Sequence, residues 1–209
     1  MKTTKESIRN TARELFNERG YRAVSMRNIA DALGISVGNL TYHYPHKELL
    51  MEAIMDAELG TMPAPSGPGL SGLDHLMKRM LESFFDTPFY FNDPALYSSF
   101  PRLQERHAAS VMSLFSVLRD AIGGCTGLGL FLPELSGPLL DHMTSLLMLS
   151  HTGWAQHNAT WPSSHFIPVD EMMKAQWAAL YPYLTPAGRA EYAALVGTAE
   201  PSNSNLSPI

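Results

Sequence analysis

Asn39 and Thr41 stand on one short segment, VGNLTYH (residues 37–43), whose side chains suit the edges of base pairs. An asparagine amide both donates and accepts, which matches adenine, while a threonine offers a hydroxyl and a methyl. Val37 can touch a thymine methyl, and Gly38 lets the backbone approach a duplex closely. Tyr42 shares the outward side if Leu40 and Tyr44, four residues apart, face inward. Ser25 and Arg27 suit the neighbouring sugar–phosphate backbone. Together this is chemistry for reading double-stranded DNA.

Such side chains work only when two short helices hold them. Ser25 is a natural N-cap for the first, which carries Ile29, Ala30 and Leu33 on one face. Gly34 sits where that helix must stop and the backbone needs a left-handed residue. Ile35 plugs the corner and Ser36 caps the second helix. The plan is a helix-turn-helix, whose second helix lies in the major groove with its N-terminal side chains toward base edges.

The motif resembles that of the TetR family of bacterial transcriptional regulators. The resemblance rests on Ile29-Ala30, the Gly34-Ile35-Ser36 corner, Gly38, Leu40, His43, Tyr44 and Lys47-Glu48-Leu49, preceded by a helix and Arg19-Gly20-Tyr21. It covers roughly the first 55 residues. It implies an N-terminal three-helix DNA-binding domain, with Tyr42, His43 and Lys47 as phosphate contacts beside Ser25, Arg27, Ser36, Val37, Gly38, Asn39 and Thr41. Thr41 departs from the pattern, standing where the family commonly has the first of two tyrosines. Each residue also has an ordinary alternative: Asn39 and Thr41 as solvent residues, His43 in local packing, Lys47 on a solvated face. Tyr44 reads as core.

The chain's net charge of −5 hides an uneven distribution. Residues 1–50 hold eight Lys/Arg against five Asp/Glu, and the other 159 hold seven against fifteen. A basic end on an acidic body orients the correct face toward phosphate. No run of eighteen apolar residues suggests a membrane span, and the N-terminus has the amphipathic period of a helix in place of a secretory core. One cysteine, Cys125, excludes an intrachain disulfide framework and fits a reducing compartment. The expected address is the cytoplasm, bacterial by the resemblance, with no membrane partner.

The expected architecture is all-α: a helix-turn-helix domain over residues 1–48, a helical ligand-binding and dimerisation domain over 49–197, and a polar, disordered tail over 198–209. Helix periodicity places the first helix at 4–19, with Ile8, Ala12, Leu15 and Phe16 on one stripe, and a fourth from Lys47 onward through Leu50 and Ile54. Residues 60–72, GTMPAPSGPGLSG, read as a loop too rich in glycine and proline for a helix. This connection is longer than is usual in the family. Further helices are expected at 73–86, 94–100, 103–122, 133–158, 169–184 and 186–196.

One reading helix contacts too few base pairs, so two copies about 34–36 Å apart on a palindrome are required. By resemblance the dimer forms through the last two long helices, here 135–150 and 169–184. The first is apolar nearly all round at Leu146-Leu147-Met148-Leu149 and must be buried by something, a partner copy or the core of a monomer. The resemblance also implies a small-molecule pocket in the body, whose binding releases DNA. Phe84, Phe89, Phe91 and Trp154 are the candidate lining, though the same rings suit simple packing. No catalytic set, cofactor or metal is expected, since no histidine pair has helical i, i+4 spacing. The glycine-rich run at 123–129 lacks the Lys-Ser/Thr ending of a phosphate loop and reads as a turn, with Cys125 an inert thiol. The expected function is a homodimeric repressor released from its operator by a small-molecule ligand. The alternative is a small-molecule-binding or enzymatic helical protein whose helix-turn-helix only packs.

Overall fold

The computed structural model describes residues 5–59, 66–86, 96 and 100–198. The fold is all-α: among the described residues there is no strand, only an isolated antiparallel bridge between Phe131 and Leu184. The chain forms two compact units, residues 1–62 with 85–107 and residues 63–84 with 108–209.

The first unit is built on α1 (Lys5–Arg19), α2 (Met26–Leu33), α3 (Val37–His43) and α4 (Lys47–Leu59). The expected stripe on α1 is the buried one: Ile8, Ala12, Leu15 and Phe16. It packs against Ile29 and Ala30 of α2, Leu40 of α3 and Leu50, Met51, Ile54 and Met55 of α4 in a single core. Each large apolar side chain buried this fully contributes on the order of 1.5–3 kcal/mol. Packing thus carries this unit past residue 48, because α4 spends its apolar face on α1. Leu96 and Leu103 close the same core.

The second unit contains most of α5 (Gly69–Asp86) and of α6 (Pro101–Gly127), with α7 (Gly137–Thr160), α8 (Val169–Leu180) and α9 (Pro186–Thr198). Two expectations are corrected here. The glycine-rich run does not turn at 123: α6 continues through Gly127. Gly123 and Gly124 each cost about 1 kcal/mol in a helix interior. Burial of Leu118, Ile122 and Cys125 on one face offsets this, and the Thr126 hydroxyl bonds the Ile122 and Leu135 carbonyls. The second correction concerns residues 69–72, expected as loop, which form the first turn of α5. Glu191 accepts the Leu70 N–H at 2.8 Å from the far end of the chain, supplying the cap that local sequence lacks. Gly72 is needed there: a Cβ would lie 2.0 Å from the Gly67 carbonyl oxygen.

Smaller shifts follow the same logic. Residues 133–136 form turns ahead of α7, and α8 tightens into a 3₁₀ turn at Tyr181–Tyr183. The helix expected at 94–100 and the tail from 199 onward lie outside the described residues, apart from 96 and 100. By length and composition alone α6 is long and apolar enough to cross a membrane, and 17% of its apolar stretch is buried in the protein.

Candidate nucleic-acid interface

Local chemistry fixes the backbone of the reading segment. The Ser25 hydroxyl accepts the Asn28 N–H at 3.2 Å, and the Asn28 side-chain oxygen takes the Ser25 N–H at 2.8 Å. This reciprocal cap starts α2. Gly34 ends it at φ 67°, in the left-handed region, with its N–H on the Ala30 and Asp31 carbonyls. Ser36 then caps α3, its hydroxyl accepting the Asn39 N–H at 3.1 Å. Ile35 is half-buried against the core, as a corner plug must be.

These caps orient α3 with one face in and one face out. Leu40 is fully buried and Tyr44 nearly so, with the Tyr44 hydroxyl donating to the Lys5 carbonyl at 3.5 Å. On the other side Val37, Gly38, Asn39 and Tyr42 are exposed, Tyr42 to 85%. A tyrosine ring standing that far into water gains nothing for the fold. Gly38 gives a second sign: a Cβ there would meet only the Ser36 hydroxyl at an ordinary 3.9 Å, so no internal packing demands glycine. Gly38 is the second residue of α3, and a glycine in that first turn brings the fold no packing gain.

The structure distributes the other expected residues unevenly. Ser25, Arg27 and Ser36 are exposed beside α3 in sequence, and both serines use their hydroxyls as caps. Thr41 is half-buried, and its hydroxyl donates to the Gly38 carbonyl at 3.2 Å, leaving its oxygen able to accept. His43 is half-buried, with the Tyr42 ring edge-on at 5.3 Å. Lys47 faces the protein. Its ammonium donates to the Tyr21 and Val24 carbonyls at 2.9 and 2.8 Å and lies 4.1 Å from the centre of the Tyr21 ring. Burial lowers its pKa, against the opposing charge of Glu48. Sequence spacing gave no sign of this contact, because its partners lie 23 and 26 residues away.

In the second unit, the candidate pocket ring Trp154 is buried, with its indole N–H on the Ile167 carbonyl at 2.8 Å. Phe89 and Phe91, and the side chain of Phe84, lie outside the described residues. Among the described residues no group of three or more His, Cys, Asp or Glu side chains is placed to hold a metal ion. His151 is buried between the Leu147 carbonyl at 2.7 Å and the Gln176 amide, and burial pushes its pKa down to about 4.

Residues 8–54 match the family described as bacterial regulatory proteins, tetR family. The transcriptional regulator UidR of Escherichia coli K12 is 35% identical over 80 residues, 38% of this chain and 40% of that protein. The chain therefore matches well under half the length of that relative. The transcriptional repressor KstR2 of Rhodococcus jostii RHA1 is 48% identical over 44 residues, 21% of this chain and 22% of the repressor. A TetR-family regulator from Marinobacter aquaeolei VT8 has the same fold across nearly all of both chains. Its TM-score is 0.78 at 24% identity, covering 92% of this chain and 97% of the other.

Proposed function

From a chain whose N-terminal domain is that of the tetR family of bacterial regulatory proteins, we propose a homodimeric transcriptional repressor acting in the cytoplasm. It reads a palindromic operator with α3 and leaves it when a small molecule binds the body. One observation carries the reading: α3 holds Leu40 and Tyr44 in the core while presenting Val37, Gly38, Asn39 and Tyr42 to solvent, at caps that fix their direction. In this reading Asn39 and Val37 address base edges, and Gly38 admits the duplex backbone. Thr41 contributes its methyl and its acceptor oxygen. Tyr42, His43, Ser25, Arg27 and Ser36 meet the sugar–phosphate backbone.

A dimer is supported by what α7 leaves uncovered. Leu146 and Leu149 are 53% and 70% exposed, on the same stripe as His142, Ser145, Thr152 and Gly153. Apolar and small residues in that pattern suit close packing of a second helix. On α8 the exposed Ala175 and Ala178 offer a matching shallow surface. Phe84, Phe89, Phe91 and Trp154 stay with the proposal as the effector-facing set. A ligand acts only so far as it binds the released conformation more tightly than the DNA-bound one.

The test is a gel shift of the purified protein on DNA from its own upstream region at two salt concentrations. Specific binding that weakens steeply with salt is expected, since neutralised phosphates release counterions. Asn39→Ala should cost about 1–3 kcal/mol of operator affinity at an adenine position. Unchanged affinity in that variant would remove α3 from the interface and favour a helix-turn-helix that serves only packing.

A further inference from the structure

Gln176 is buried on α8, and its side-chain oxygen has no hydrogen-bond partner in the protein. Its amide nitrogen is in the opposite position, with Ser150 Oγ at 3.1 Å and His151 Nε2 at 3.2 Å. The neighbours fix which way this amide points. Ser150 spends its hydroxyl hydrogen on the Leu147 carbonyl at 2.6 Å, and His151 Nδ1 lies 2.7 Å from the same carbonyl. Two acceptors do not approach that closely, so the single hydrogen of the neutral ring sits on Nδ1. Ser150 Oγ and His151 Nε2 therefore both present lone pairs, and the amide NH2 serves them. Turning the amide over would set its oxygen against both. Folded proteins leave few buried acceptors unpaired, since each has given up its hydrogen bond with water.

The surroundings are apolar and pliable. α7 and α8 run antiparallel here: Gln176 meets Ser150 and His151, while Ile167, just ahead of α8, accepts the Trp154 indole N–H and the Asn158 amide. Met172 and Met173, one turn before Gln176, thus lie at the level of Trp154, and all three are buried. α5 joins through Asp74, whose carboxylate takes the Trp177 indole N–H at 2.7 Å, with the buried Met77 one turn further on. Unbranched thioether chains rearrange readily around a guest.

We propose that Gln176 Oε1 is the polar anchor of the effector site: it accepts a hydrogen bond from an uncharged, chiefly apolar molecule bearing a hydroxyl, held against Trp154 and the methionines. This rests on the effector-binding reading above and names the class of effector. The anchor makes the selection. As an acceptor it repels carboxylate and phosphate oxygens. An ammonium would shed its water for one uncharged oxygen, which does not compensate the loss. A hydroxyl sheds far less, gains a bond strengthened by the low dielectric, and leaves its carbon frame to the apolar wall.

The experiment titrates para-alkylphenols, from ethyl to octyl, and their methyl ethers into the full-length chain by calorimetry, without DNA. Each pair shares its ring and alkyl chain and differs in the donor. The phenol should bind roughly tenfold more tightly than its ether, within the range for satisfying a buried acceptor. In Gln176→Met, which keeps the volume and removes the acceptor, that ratio should fall to about one while the ether keeps its affinity. Phenols that bind no better than ethers to the wild type would overturn the proposal. So would a preference that survives in Gln176→Met, or no binding by any member of the series. Should the variant fail to fold, nitrogen-15 spectra of the wild-type glutamine side chains decide. A Gln176 amide signal that shifts with the phenol and not with the ether supports the anchor, and any other pattern overturns it. A gel shift with the same phenols separates this proposal from the reading it rests on. If the phenol preference holds and the chain binds no DNA, the repressor reading falls and the site remains. If DNA binds and the preference is absent, the site falls and the repressor reading remains.

Discussion

The two units of this protein solve the same problem, ending and starting helices, by opposite means. In the first, every boundary around α2 and α3 is set within three or four residues: Ser25 with Asn28, Gly34 with Ala30 and Asp31, Ser36 with Asn39. In the second, α5 begins because Glu191, 121 residues away, accepts the Leu70 N–H, and α6 persists through two interior glycines because its buried face holds it. Short-range chemistry leaves one face of α3 unencumbered for an outside partner. Long-range contacts bind the second unit into an interlocked core. The glycines show the contrast most plainly, since Gly38 meets almost nothing and Gly72 and Gly188 meet backbone.

Breaking that contrast should therefore begin with the crowded glycines. A Cβ at Gly188 would lie 2.0 Å from the Leu130 carbonyl oxygen, as one at Gly72 would from Gly67. Gly188→Ala and Gly72→Ala should each lose about 3 kcal/mol in urea unfolding, the upper part of the range for overpacking. If either were neutral, the close backbone approach would not exist in solution.

The buried His151 sharpens the comparison by pH. Its pKa falls from 6.5 to about 4, first because burial disfavours the imidazolium, against the Leu147 and Met77 carbonyls that favour it. Below 6.5 the unfolded chain therefore binds the proton that the folded chain refuses. Stability is complete above pH 6.5 and is lost as pH falls toward 4, by at most about 3 kcal/mol. Urea midpoints of the wild type and His151→Leu at pH 7 and pH 4.5 check this. A wild type no more acid-sensitive than the variant would exclude His151 as the cause.

In the first unit the expected effects are smaller. Ser25→Ala removes one half of a reciprocal cap and should cost about 1 kcal/mol of stability, read as a shifted thermal midpoint. Gly38→Ala should be mildly stabilising, by roughly 0.5–1 kcal/mol, since helix propensity rises and no contact is strained. The same variant should bind operator less well. A Gly38→Ala protein with undiminished binding would show that the duplex does not come close at that point.

These differences also explain what could be read in the sequence. The caps, the left-handed Gly34 and the inward pair Leu40 and Tyr44 were legible because cause and effect lie within one turn. The start of α5 was not, since its cap comes from α9, and the continuation of α6 was not, since three glycines in five residues normally signal a turn. Lys47 was legible as a cation at the start of α4 but not as a ligand of the Tyr21 and Val24 carbonyls. Only the three-dimensional approach of α4 to that turn reveals it. Phe84, Phe89 and Phe91 were chosen by composition, and ring content alone does not separate a pocket wall from a core.

The solitary thiol of Cys125 has a practical consequence. Only 3% exposed, and with its pKa pushed up to about 11 first by burial and then by the charge of Glu191, it is chemically quiet in the folded protein. At neutral pH the reactive thiolate then amounts to on the order of one molecule in ten thousand. Alkylation can proceed at an appreciable rate only through moments when the end of α6 opens. The chain thus carries its own clock for the breathing of the second unit, with no competing thiol in the first. Slower labelling on adding a candidate effector would single out a binder with no operator in hand.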